Sequence, residues 1–112
     1  MSAPRIEFLW WEGCASHRQA LAELQAELEA VGLDPKSVEE IEIENDGDAE
    51  AMLFVGSPTI RIDGKDVADA GDDQPALTCR AYRLRDGRIS PLPDRADLRV
   101  ALGAAMTARN GD

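Results

Sequence analysis

Between Arg5 and Val31 the hydrophobic period of the chain changes from two to about 3.6, and this change constrains how the fold can begin. Ile6, Phe8 and Trp10 alternate with Glu7 and Leu9 in an aromatic-rich run, which predicts a strand over Arg5 to Trp11. Glu12-Gly13 breaks that run. Leu21, Leu24, Leu28 and Val31 then recur at spacings of three and four, the buried stripe of a helix from about Ala15 to Val31. Glu23, Gln25, Glu27 and Glu29 fall mainly on its other faces, and Gly32, with Pro35 beyond, is placed to close it. Cys14 therefore stands where the strand has ended and the helix begins.

The pattern continues in short pieces. Ile41 and Ile43 alternate with Glu40, Glu42 and Glu44, so Val38 to Glu44 reads as a second strand with one acidic face, at a sheet edge or facing solvent. Asp46-Gly47-Asp48 marks a turn, with Asp48 as the expected cap of a short helix through about Leu53. Gly56-Ser57-Pro58 interrupts the chain before a third strand, Thr59 to Ile62. Asp63-Gly64 then favours a two-residue hairpin turn that brings Lys65 to Ala68 back antiparallel. Ala70 to Pro75 reads as a loop, Leu77 to Leu84 as extended chain, and Asp86-Gly87 as another turn. Leu98, Ala101, Leu102, Ala105 and Met106 give the stripe of a last helix from about Asp94 to Ala108. The order predicts an α/β fold, a mixed four-stranded sheet flanked by helices.

A length of 112 residues suits a single domain, residues 1–112, and 44% hydrophobic residues suffice for a core without staples. Twelve basic against twenty-two acidic residues leave a net charge of −10 and a pI near 4.4. Such a surface repels phosphate backbones and anionic lipid, so neither nucleic acid nor membrane is an expected partner. The first residues lack a basic region followed by a long apolar run, and no stretch approaches a membrane span. The expected location is the cytoplasm. There two cysteines are ordinarily reduced thiols, and a bridge between them would be functional or transient.

Trp10-Trp11-Glu12-Gly13-Cys14 between a strand and a helix, with Val55-Gly56-Ser57-Pro58-Thr59-Ile60 some forty residues on, resembles the thioredoxin family. The similarity is nearest to small bacterial thioredoxin-like proteins and covers roughly residues 5 to 70. It implies a thioredoxin-like fold and a cis bond at Ser57–Pro58. It also implies that the backbone before this proline lies beside the reactive cysteine and pairs with an extended substrate. Trp11, Ser57, Pro58 and Thr59 are thus the implied substrate-binding residues. The chain departs from the family's Cys-x-x-Cys: it reads Cys14-Ala15-Ser16-His17, without the second thiol that resolves a mixed disulfide.

Cys14 is the first candidate for chemistry, because helix-start amides favour a thiolate, the form that acts as nucleophile and soft-metal ligand. The adjacent Glu12 opposes this, and burial as a small apolar residue is the plainer role. On the first account Cys14 alkylates faster than Cys79. His17, one turn on, is a candidate to stabilise that thiolate or relay a proton, against a plain role as a solvated polar residue. Cys79 is a candidate distant resolving thiol, a second soft-metal ligand, or a buried packing residue beside Leu77 and Tyr82. Asp63, Asp66, Asp69, Asp72 and Asp73 lack calcium-loop spacing and read as solvating acids. Nothing in the pattern calls for a cofactor.

The leading expectation is thiol–disulfide oxidoreduction through Cys14, with Cys79 or a cellular thiol as resolver, acting on protein or low-molecular-weight thiols and disulfides. A non-catalytic binding or scaffold domain is the second. The third is soft-metal or organomercurial binding by Cys14 and Cys79. Trp-x-x-Gly-Cys-Ala is similar to a cysteine setting in alkylmercury lyases, although their catalytic aspartate has no match among Ala15 to Arg18.

Overall fold

The computed structural model describes residues 3–68, 71 and 73–110. Asp69, Ala70 and Asp72, from the acidic loop, lie outside the described residues. The fold is mixed α/β. Strands β1 (Ile6–Trp10), β2 (Glu39–Glu42), β3 (Thr59–Ile62) and β4 (Lys65–Asp66) form a sheet in the order β2-β1-β3-β4. β1 runs parallel to β2 and antiparallel to β3, and β4 folds back antiparallel on β3. Helices α1 (His17–Ala30), α2 (Asp46–Met52) and α3 (Arg95–Asn110) flank it. Two further strands, β5 (Tyr82–Arg83) and β6 (Ile89–Ser90), pair across the Asp86-Gly87 turn as a separate ribbon.

The central strands β1 and β3 are largely buried on both faces, and the edge strands β2 and β4 are more exposed. Ile6, Phe8, Ile60 and Ile62 pack with Ala20, Leu24 and Leu28 of α1 and with Leu98 and Leu102 of α3. Leu9 points the other way and packs with Ile43, Ala49 and Phe54. The three carboxylates of β2 are tolerated because β2 is an edge strand, where Glu39, Glu40 and Glu42 stay exposed, as does Glu44 just beyond it. α1 and α3 are also joined by Glu27, whose buried carboxylate accepts from Arg99 Nε at 2.9 Å and Arg95 Nε at 2.8 Å. The Arg99 hydrogen bond is the main cause holding the Glu27 carboxyl below its ordinary value.

Helix ends differ from expectation in instructive ways. α1 begins at His17 rather than Ala15, and Val31 is half-buried at its C-cap rather than part of the core stripe. Gly32, at φ +81°, closes α1: its N–H bonds Glu29 O and the next N–H, of Leu33, bonds Leu28 O. α2 is capped by Asn45, which accepts from Asp48 N at 2.8 Å, and not by Asp48. Asp48 instead accepts from Glu44 N, so the two side chains brace the helix start reciprocally. Asp63 and Gly64 both adopt positive φ, the conformation a tight hairpin between β3 and β4 requires.

Candidate functional site

The end of β1 delivers Trp11 into a turn in which Cys14 N donates to Trp11 O. The indole of Trp11 folds back over Gly13 and fills the space a Cβ would occupy, so a larger residue there would have to displace the ring. Cys14 follows in the turn, three residues before α1 and 3% exposed. The expected placement at the helix start is therefore corrected. Ser16 holds the N-cap position but makes no capping hydrogen bond, because its Oγ lies 3.2 Å from Cys14 Sγ.

Cys14 is bonded to Cys79 in a disulfide with Cα atoms 5.5 Å apart, closing a separation of 65 residues. This lies inside the ordinary Cα range for such a bond. The two ends are not equivalent: Cys14 is buried and Cys79 is exposed. Cys79 is thus neither a buried packing residue nor hidden behind Cys14.

The Ser57–Pro58 bond is cis. Ser57 is wholly buried, and all three of its hydrogen-bonding groups are taken. Its Oγ accepts from Trp11 N at 3.0 Å, its N–H donates to Thr78 O at 2.8 Å, and its C=O accepts from Arg80 N at 2.9 Å. Residues 78–80 therefore lie along Ser57 as a one-residue parallel bridge, Ser57 opposite Cys79. The backbone that the resemblance reserves for a substrate is occupied by the chain itself. Pro58 and Thr59 are buried as well, and Thr59 Oγ1 donates to Gly56 O at 2.7 Å, so neither presents a side chain to a ligand.

His17 does not meet the sulfur. Its Nδ1 sits 2.8 Å from Cys14 O, and its ring stacks on Trp10 with centroids 4.5 Å apart. In the disulfide form it braces the turn. Trp10 packs on the α1–α3 side of the core, while half-buried Trp11 packs toward Leu9 and Phe54.

What holds Cys79 opposite Cys14 is a residue the sequence left unremarked. Arg80 is 8% exposed, and its Nη1 reaches Asp66 Oδ2 at 2.6 Å and Thr59 Oγ1 at 3.3 Å. Its Nη2 donates to Ala68 O at 3.2 Å, and the guanidinium lies 4.7 Å from the Tyr82 ring centroid. Tyr82 donates to Pro58 O from a buried position, and burial pushes its phenol well up. Asp66 is thus a structural ion-pair partner rather than a solvating acid. Gly56, at φ +144°, lets the 79–81 backbone approach so closely that a Cβ there would lie 3.0 Å from Arg80 Cα. Only the adjacency of Arg80 to Cys79 hinted at this anchor; the partner fourteen residues away carries no local signal.

Among the described residues no group of three or more His, Cys, Asp or Glu side chains converges as a metal site. Among them, too, no helix is long and apolar enough to cross a membrane. No known family profile, curated protein or solved structure matches the chain.

Proposed function

We propose that this chain is a thioredoxin-like thiol–disulfide exchange protein whose working couple is Cys14 and Cys79. The observation that carries the reading is the disulfide itself, formed beside the cis Ser57–Pro58 bond between a buried and an exposed cysteine. The pair supplies the resolving thiol that Cys14-Ala15-Ser16-His17 lacks, from a segment 65 residues away. Arg80 and Tyr82 fix that segment by contacts independent of the sulfurs, so the reduced thiols remain neighbours and re-form their bond without a search.

Substrates on this reading are thiols and disulfides of small molecules or mobile protein segments. They reach the couple at the surface rather than pairing with Ser57, whose backbone is already satisfied. A substrate dithiol gives up two electrons and two protons and becomes a disulfide, and the Cys14–Cys79 bond becomes two thiols. The reverse step reduces a substrate disulfide.

The test is equilibration of the protein in graded glutathione redox buffers, followed by acid quench and intact mass. The expected result is a smooth passage between forms differing by about 2 Da as the buffer is varied. A disulfide that stays closed at every glutathione ratio in native protein is a structural staple, which favours the scaffold reading and ends this one.

A further inference from the structure

Resting on that reading, the geometry points to Cys79, not Cys14, as the sulfur that forms the mixed disulfide with substrate, with Cys14 as the leaving and resolving thiol. A thiolate attacks a disulfide by bonding to one sulfur while the other departs with the bonding pair, so the attacked sulfur must be reachable. Cys14 is 3% exposed, tucked under the Trp11 turn, whereas Cys79 is exposed between exposed Thr78 and Ala81. An incoming thiol therefore meets Cys79 Sγ.

The departing sulfur also has a prepared place. With Cys14 in a disulfide, the contact at 3.2 Å has Ser16 Oγ as its donor, and the same hydroxyl donates to the thiolate that forms on cleavage. Ser16 is a positioning residue for that thiolate, which explains why it leaves the N-cap of α1 unbonded. Helix-start amides made Cys14 the expected nucleophile, but accessibility reverses the order of events.

The step balances as follows. A substrate thiol loses its proton to solvent and its thiolate bonds to Cys79 Sγ. The Cys14–Cys79 bond breaks, and its electron pair remains on Cys14. A second substrate thiolate then attacks the substrate sulfur of the mixed disulfide and releases Cys79 as thiolate. The substrate pair is oxidised, the protein pair is reduced, and both protein thiolates take up protons. In the reverse direction Cys79 attacks the substrate disulfide and Cys14 resolves the intermediate.

Oxidised full-length protein is exposed briefly to glutathione, quenched in acid and mapped by peptide mass. Glutathione on Cys79 is the expected result. Glutathione on Cys14 overturns the assignment while leaving the exchange couple intact; no adduct and no reduction overturns both. A second measurement removes the dependence on one trapped species: Cys14→Ser should react with an aromatic disulfide reagent at least about tenfold faster than Cys79→Ser, both checked for native circular dichroism. Equal rates, or a faster Cys79→Ser, contradict the assignment. Within Cys79→Ser, adding Ser16→Ala should raise the pH at which the Cys14 thiolate absorbance appears; an unmoved titration removes Ser16 from the role.

Discussion

The two halves of the couple are held in different ways. Cys14 follows β1, which is hydrogen-bonded to β2 on one side and β3 on the other and buried on both faces. Cys79 lies in a stretch without a strand ladder; among the described residues its backbone bonds include Ala76 N to Phe54 O and the two bonds to Ser57. Side chains do the remaining work there, Arg80 on Asp66 and Ala68, and Tyr82 on Pro58. A ladder distributes its energy over many bonds. A side-chain anchor concentrates it in a few, so single changes should damage the Cys79 side more than the Cys14 side.

The largest expected effect comes from cutting the bond that joins the two regions. Reduction opens a ring with a 65-residue separation between its cysteines, and the chain-entropy treatment assigns such a ring about 4 kcal/mol. Urea unfolding of oxidised and reduced protein measures this directly, and a Cys14→Ser/Cys79→Ser double variant should show no response to reductant. A difference under about 1 kcal/mol would mean that the Arg80 and Tyr82 contacts already constrain the segment in the unfolded ensemble or dominate its docking.

Arg80→Ala is the next break. The guanidinium is 7% and the Asp66 side chain 20% exposed, so the variant leaves a mostly buried carboxylate without its counter-charge, still held by Ala68 N on Oδ1, and the Ala68 carbonyl without the arginine donor. A fully buried pair loses ~3–5 kcal/mol on truncation; the partial exposure of Asp66 reduces the expectation to about 2–3 kcal/mol. Arg80→Lys should recover only part of this, because one ammonium cannot reproduce a fork that reaches Asp66, Thr59 and Ala68 together. A near-neutral Arg80→Ala in denaturant unfolding would transfer the anchoring to Tyr82 and the Ser57 bonds.

The same contrast explains what could be read from the sequence. β1, β3, the Asp63-Gly64 hairpin and the core stripes of α1 and α3 follow from local period and turn chemistry, and they stand close to where those rules put them. α1 starts at His17 rather than Ala15 because the chain after Gly13 is held in a turn by the Cys14 N to Trp11 O bond and by the disulfide, which leave no mark on the local period. The β5–β6 ribbon has two-residue strands, too short for alternation to show, although its Asp86-Gly87 turn was visible. Cys14, Cys79, Ser57 and Pro58 could be named as a neighbourhood. Their relation could not, since burial of one cysteine, exposure of the other and the Arg80–Asp66 pair are products of packing between segments far apart in the chain.

The smallest effect tests whether the sheet region is as independent of the Cys79 segment as its ladder implies. Leu53 ends α2 in the left-handed region, φ 54° and ψ 41°, with its side chain 69% exposed. It is there because the helix must turn to send Phe54 into the core, where Phe54 N bonds Ala49 O at 2.8 Å. An L-residue in that conformation costs about 1–2 kcal/mol, and glycine removes the cost while adding freedom to the unfolded chain. Leu53→Gly should therefore stabilise by about 0.5–1 kcal/mol, and Leu53→Ala, which keeps the Cβ, should not. Equal gains from both variants would place the effect in the exposed side chain rather than the backbone. α2 packs toward Leu9 and Ile43, and its end meets the Cys79 segment at Ala76 N, which bonds Phe54 O, and at Leu77. If these contacts persist without the disulfide, the Leu53→Gly gain should be the same in oxidised and reduced protein. A gain that vanishes on reduction would show that the two regions unfold as one unit and that the bond between the cysteines reaches further into the sheet than the hydrogen-bond pattern indicates.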